Sequence, residues 1–138
     1  MQLFNTKTID RHVASAPIPD PAKLQILRQW GDTIRDGSIE SQKETALHGN
    51  FKQRIICEVL GYRDFNDSGE WTVDVETAIG GGSVDLALGH FTKGESRIIA
   101  PFELKGAKTK DLDAIMPGRA KSPVKQAWDY ASDNVGTK

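Results

Sequence analysis

The chain is predicted to be one α+β domain, with helices before and after a three-stranded antiparallel meander. Three observations predict it. Apolar residues recur at spacings of three and four over residues 20–60. The pattern changes to alternation over residues 71–105, interrupted by two glycine-bearing turns. Ser122 followed by Pro123 then restarts helical spacing. The 138 residues, 38% hydrophobic and 27% charged, supply apolar material for one core and not for two.

Residues 1–19 end in SAPIP and read as an N-terminal arm or irregular lead-in to a domain over 20–138. Asp20 and Pro21 form a helix start, an N-cap side chain followed by proline at the first helical position. Leu24, Leu27, Trp30 and Ile34 share one face of that helix, about 16 residues long, and Gly37 ends it. A second helix is expected from Ser41 to Leu60, with Leu47, Phe51, Ile55, Ile56, Val59 and Leu60 as its stripe and Gly61 as its stop. The single cysteine, Cys57, lies in this stripe and reads as a buried core thiol. Alone it makes neither an intrachain disulfide nor a cysteine cluster for zinc.

WTVDVETA places Trp71, Val73 and Val75 on one side of a strand, with Thr72, Asp74 and Glu76 on the other. Gly80–Gly82 is a turn: a phosphate-cradling glycine loop needs a helix after it, and here a strand follows. SVDLALG and SRIIAPFELK are the second and third strands, joined at TKGE. Pro101 removes a ladder donor, so an edge position or a bulge is expected there. A lysine-bearing loop covers residues 106–121, and PVKQAWDYASDN forms a last helix of about three turns.

The net charge of −1 excludes a globally basic polyanion binder, so any nucleic-acid surface is local. No apolar run approaches the ~18 residues of a membrane span, and the N-terminus has no signal-peptide core. A soluble, cytoplasmic protein is expected.

The strand pattern brings distant chemistry together. Folding about residues 93 and 94 sets Asp85 opposite residue 102 or 103. With Phe102 and Leu104 aligned to the apolar face of Val84, Leu86 and Leu88, the side chains of Asp85, Glu103 and Lys105 fall on the other face. The first turn brings Glu76 near Asp85. Crowded carboxylates repel one another, and a divalent cation relieves the repulsion. Oxygen-only ligands favour Mg²⁺, or Mn²⁺, over zinc. A site of two carboxylates and a lysine suits phosphodiester hydrolysis, with Lys105 activating water or stabilising the phosphate. The plain alternative is a solvated face, since an acid-x-Lys pattern arises once or twice by chance in a chain of roughly this composition.

GGGSVDLALG, IIAPFELKG and QAWDYA, taken in order, resemble the PD-(D/E)xK nuclease superfamily. Residues 24–135 look most like the N-terminal nuclease region of type IIG restriction–modification enzymes, in which one polypeptide also carries the DNA methyltransferase. The resemblance implies a restriction-endonuclease-like core that cleaves double-stranded DNA with Mg²⁺. It implies Asp85 and Glu103 as metal ligands and Lys105 as the catalytic lysine. It implies Gln126 and Tyr130, a Q-x-x-x-Y pair on one helix face, as residues that support the site and approach the DNA backbone. The plain alternative for Tyr130 and Trp128 is packing.

Two readings compete for Glu44. It matches the glutamate on the superfamily's first core helix, a catalytic position, and it also fits a capping box with Ser41. Glu76 is a further candidate for the acidic site, with simple exposure as its alternative. Lys105, Lys108, Lys110, Arg119, Lys121 and Lys125, against Asp111 and Asp113, form a local basic excess that either contacts phosphates or is merely a solvated loop.

The superfamily core continues with another strand after the Gln/Tyr helix, and Lys138 comes before one. The core is therefore expected to be truncated and the chain a fragment. Its expected partners are methyltransferase and target-recognition domains in cis, and an exposed edge would permit homo-oligomers. S-adenosylmethionine is a cofactor only if a methyltransferase domain follows. The alternatives are a non-catalytic nuclease-like module for DNA binding or docking, and a repair or junction-resolving nuclease.

Overall fold

The computed structural model describes residues 5–66 and 69–135, so the first four residues of the expected arm and the last three of the chain lie outside the described residues. Four α-helices and an open three-stranded antiparallel sheet make the fold α+β: α1 (Thr6–Ser15), α2 (Pro21–Arg35), α3 (Glu44–Phe51), β1 (Trp71–Ile79), β2 (Gly82–Phe91), β3 (Ser96–Phe102) and α4 (Pro123–Val135). Among the described residues, no helix is long and apolar enough to cross a membrane.

The helix starts follow their capping chemistry. Asp20 Oδ1 accepts from the Ala22 amide at 2.9 Å ahead of Pro21, and Ser122 Oγ accepts from the Lys125 amide at 3.2 Å ahead of Pro123. The lead-in expected to be irregular contains α1, capped by Asn5 through the Lys7 amide at 3.0 Å. Its Ile9 and Val13 are one turn apart, and the whole helix is exposed.

The second expected helix is shorter at its start. Ser38–Ser41 is a 3₁₀ turn in which Ser41 Oγ donates to the Ser38 carbonyl at 2.7 Å, so Ser41 is not an N-cap. Lys43 holds that position, and α3 begins at Glu44. From Lys52 to Val59 the helix widens to π geometry and ends with the Leu60 amide bonded to the Ile55 carbonyl at 2.9 Å. Lys52 pairs with Asp64 at 2.6 Å, tying this segment to the chain leading into β1. Trp30 of α2 meets Phe51 edge-on at 6.0 Å.

β2 is the central strand, and its register to β1 (Val75↔Leu86, Thr77↔Val84) and to β3 (Leu86↔Phe102) makes the predicted meander. Gly80 and Gly81 both have positive φ, 53° and 80°, which a two-residue I′ hairpin requires. At the other hairpin, Thr92 Oγ1 accepts from the Gly94 and Glu95 amides, closing the turn at TKGE. β3 is an edge strand, and its register shifts opposite Leu88 and Gly89 just before Pro101, so the edge and the bulge are both present. Gly89 is required there: a Cβ would stand 2.1 Å from the Arg97 carbonyl oxygen.

Both faces of the sheet are covered, which is why β2 is buried continuously from Leu86 to Gly89. Ile56, Val73, Leu86 and Leu88 form one cluster, joined by Phe51, Cys57, Tyr62, Phe102 and Leu104. Ile79, Val84, Ala87 and Phe91 form the other, joined by Trp71, Ile98 and Tyr130 of α4. Cys57 is half-buried at the margin of the first cluster and not a fully buried core thiol.

The alternation in β1 departs from the sequence expectation. A bulge between Trp71 and Val73 sends these two to different clusters, and Val75 is 48% exposed. Glu76 has φ 49°, a left-handed backbone costly for a residue with a Cβ. This break between Val75 and Thr77 explains why Val84 packs with Ala87 and not, as expected, with Leu86 and Leu88. Glu76→Gly is expected to stabilise the fold by about 1 kcal/mol by removing the Cβ conflict, checked by urea denaturation. A loss of stability there would mean that the Glu76 side chain itself contributes.

Candidate active site

Asp85 lies at the middle of β2, half-buried, one residue before Leu86. The Leu86↔Phe102 pairing carries the register on to Asp85 and Glu103. The strand predicted to run through Lys105 stops at Phe102, so Glu103 opens the segment that leaves the sheet. Phe102 and Leu104 pack into the first cluster, which turns Glu103 and Lys105 to the opposite side.

Three contacts define the site. The Leu104 amide, between Glu103 and Lys105, donates to Asp85 Oδ2 at 2.7 Å. Lys105 Nζ pairs with Glu103 Oε1. The Gly106 amide, just past Lys105, donates to Glu44 Oε1 at 2.9 Å. The structure therefore gathers Asp85, Glu103, Lys105 and Glu44 from β2, the end of β3 and the start of α3.

The Glu103 and Lys105 side chains are only 6% and 16% exposed, so this pair is not a solvated face. Taking both charges out of water costs several kcal/mol per ion on an order-of-magnitude scale, and apolar residues at the same place would spare that cost. The capping-box reading of Glu44 is also overturned: its carboxylate reaches across the fold to Gly106, while Ser41 bonds within its own 3₁₀ turn. Glu76 falls opposite Asp85 in the β1–β2 register, with its side chain exposed.

Asp85 and Glu103 are the two carboxylates that the sequence expectation assigns to a cation. Among the described residues, no group of three or more His, Cys, Asp or Glu side chains is placed to hold a metal ion. A two-carboxylate oxygen set suits Mg²⁺, which keeps several waters, and does not suit zinc. Asp85 uses Oδ2 for the Leu104 amide and Glu103 uses Oε1 for Lys105, so each retains a second oxygen for a cation.

Gln126 and Tyr130 are brought together, with Gln126 Nε2 donating to the Tyr130 hydroxyl at 3.3 Å. They line a cavity of about 320 Å³ with Gly80–Gly82, Arg119, Lys121, Asp129 and Asp133. Gly82, on the wall of that cavity, is three residues from Asp85 along β2, roughly 10 Å, and Asp85, Glu103 and Lys105 do not line it. Tyr130 also packs on the second cluster, whereas Trp128 is 68% exposed and does not serve the core.

The basic residues divide into two groups. Lys108 and Lys110 are exposed, and among the described residues neither has a carboxylate within ion-pair distance. Lys121 and Lys125 both converge on Asp129, Lys121 at 2.6 Å. The Lys121 hydrogen bond, then that of Lys125, holds the Asp129 carboxyl below its ordinary pKa, and Lys121 is held above its own chiefly by its bond to Asp129. One carboxylate thus neutralises part of the basic surface. If this surface contacts DNA, as the sequence leads one to expect, Asp129→Asn tightens that binding and steepens its dependence on salt by about one counterion, measured by fluorescence anisotropy at several KCl concentrations.

His48 was not singled out in the sequence. It lies one turn after Glu44, with Nε2 buried, without a hydrogen-bond partner, and 3.8 Å from Glu44 Oε1. The i, i+4 spacing was the available signal.

No protein-family model, curated protein or solved structure matches the chain. The geometry and the residues therefore carry the functional reading alone.

Proposed function

We propose that the chain is the Mg²⁺-dependent DNA endonuclease domain of a restriction–modification enzyme, with a restriction-endonuclease-like core that hydrolyses phosphodiester bonds in double-stranded DNA. One observation carries the reading. Asp85 is bonded to the amide between Glu103 and Lys105, and the Glu103–Lys105 pair is buried at a sheet end, where a structural ion pair has little to recommend it. The order of motifs that resembles the nuclease superfamily supports it further.

The division of labour follows from the contacts. Asp85 and Glu103 are the residues that would hold the cation, and Mg²⁺ at that place would supply Lewis acidity toward a phosphoryl oxygen and toward bound water. Asp85 fixes the Leu104 amide and with it the backbone between Glu103 and Lys105. Glu103 holds the Lys105 ammonium in the site before substrate arrives. Lys105 then supplies a positive charge to the non-bridging oxygens as negative charge builds in the transition state. Lys108 and Lys110, exposed and free of carboxylate partners among the described residues, are the cations that would contact the backbone of the duplex. Gln126 and Tyr130, beside the glycine turn, are the α4 residues that would approach the DNA backbone.

Cleavage of supercoiled plasmid by the longest polypeptide that contains this chain tests the proposal. Nicked or linear product with Mg²⁺, and none with EDTA, is expected. DNA binding without cleavage at any Mg²⁺ or Mn²⁺ concentration would favour a non-catalytic DNA-binding module.

A further inference from the structure

The four residues Glu103–Gly106 leave β3 with no strand partner, yet they carry both the acid and the lysine of the candidate site. Their alternate amides are taken by two carboxylates from different parts of the fold: Leu104 N by Asp85 of β2 and Gly106 N by Glu44 of α3. Lys105 stands between these two anchors. Glu44 is 62 residues away in sequence, so this bond is a tertiary tie between the first residue of α3 and the departing segment. The Gly106 amide uses a single oxygen, Oε1, and the bond needs an acceptor there, not a charge. His48 crowds the same oxygen from the next turn of the helix, at 3.8 Å through a buried nitrogen. A Cβ on Gly106 would meet Glu44 Cδ at 3.7 Å, an ordinary van der Waals contact, so the tie rests on the hydrogen bond and not on the glycine.

We propose that Glu44 is a positioning residue that sets the place of Lys105 by accepting the Gly106 amide, and that it acts as a hydrogen-bond acceptor and neither as a metal ligand nor as a general base. The inference rests on the nuclease reading for its kinetic consequence but not for its structural one. Glu44→Ala removes the acceptor, frees one end of the segment and lowers the cleavage rate. Glu44→Gln keeps an oxygen acceptor and removes only the charge, so it recovers much of that loss. A metal ligand or a general base is lost in both variants alike.

Two measurements test this. The first is amide hydrogen exchange at Gly106, followed by ¹⁵N NMR without DNA or metal. Exchange is expected to be slow in the wild type and in Glu44→Gln, and at least tenfold faster in Glu44→Ala. Equal exchange in the wild type and Glu44→Ala overturns the proposal. The second is the Mg²⁺-dependent cleavage rate, where Glu44→Gln is expected to be at least tenfold faster than Glu44→Ala. Equal loss in both, with the Gly106 amide still protected in Glu44→Gln, overturns it in favour of a charge-dependent role. If the wild type does not cleave DNA, the nuclease reading fails by itself, and the Gly106 exchange still decides whether Glu44 holds the segment.

Discussion

Lys105→Ala is expected to slow Mg²⁺-dependent DNA cleavage by about 100- to 1000-fold, the loss that follows removal of one preorganised group facing developing charge. Asp85→Ala should lower it at least as far. The choice of substitution matters because the pair is buried. Truncating Glu103 strands the Lys105 ammonium, and truncating Lys105 strands the Glu103 carboxylate; breaking a buried pair in this way costs about 3–5 kcal/mol of stability. Glu103→Gln keeps an oxygen for Lys105 and removes one charge, so it separates lost chemistry from lost folding. It should retain native far-UV circular dichroism and cut DNA at least 100-fold more slowly than the wild type, if Glu103 is a cation ligand whose charge matters. Cleavage that survives Asp85→Ala, Glu103→Gln and Lys105→Ala together would move the active site elsewhere.

Phe91→Ala is expected to destabilise the fold by about 3–5 kcal/mol, measured as the shift in the urea midpoint multiplied by the slope. Phe91 is 1% exposed and is the largest fully buried side chain among the described residues. It stacks on Trp71 with ring centroids 6.3 Å apart and closes the cluster of Ile79, Val84 and Ala87 beneath α4. Truncation leaves a cavity between strands whose register is pinned on both sides, so the walls have little freedom to collapse. A typical domain has only about 5–15 kcal/mol in total, so the variant should be marginal at 37 °C. Leu60→Ala is the counterpart: Leu60 is 57% exposed, and its loss should change stability by no more than about 0.5 kcal/mol. A Phe91→Ala cost under about 1 kcal/mol would mean that the α4 side of the sheet is not a second core.

The meander, both of its turns, the caps of α2 and α4 and the edge position of Pro101 were legible in the sequence because each is a local signal. A proline after an aspartate or a serine, two glycines between strands, or a run of alternating residues needs no distant partner to be read. The register that sets Asp85 against Glu103 was legible for a related reason: both turns are tight, so counting outward from each fixes the pairing to within a residue.

What escaped depended on groups far apart in the chain, or on breaks in periodicity. The reversal at Glu76 is a backbone choice that its side chain does not announce, and it moves Val84 from one core cluster to the other. Glu44 fits a capping box as letters, yet the Gly106 amide 62 residues later takes its carboxylate. The end of β3 at Phe102 places the acid and the lysine of the site beyond the ladder, where two carboxylates hold the backbone in place of strand pairing.

Titration of Mn²⁺ into the protein by isothermal calorimetry tests most directly whether Asp85 and Glu103 form a cation site. The wild type is expected to bind with measurable heat, and Asp85→Ala and Glu103→Gln are each expected to weaken binding at least tenfold while remaining folded. Binding of the same affinity in the wild type and both variants, or no binding by the folded wild type, would contradict the assignment.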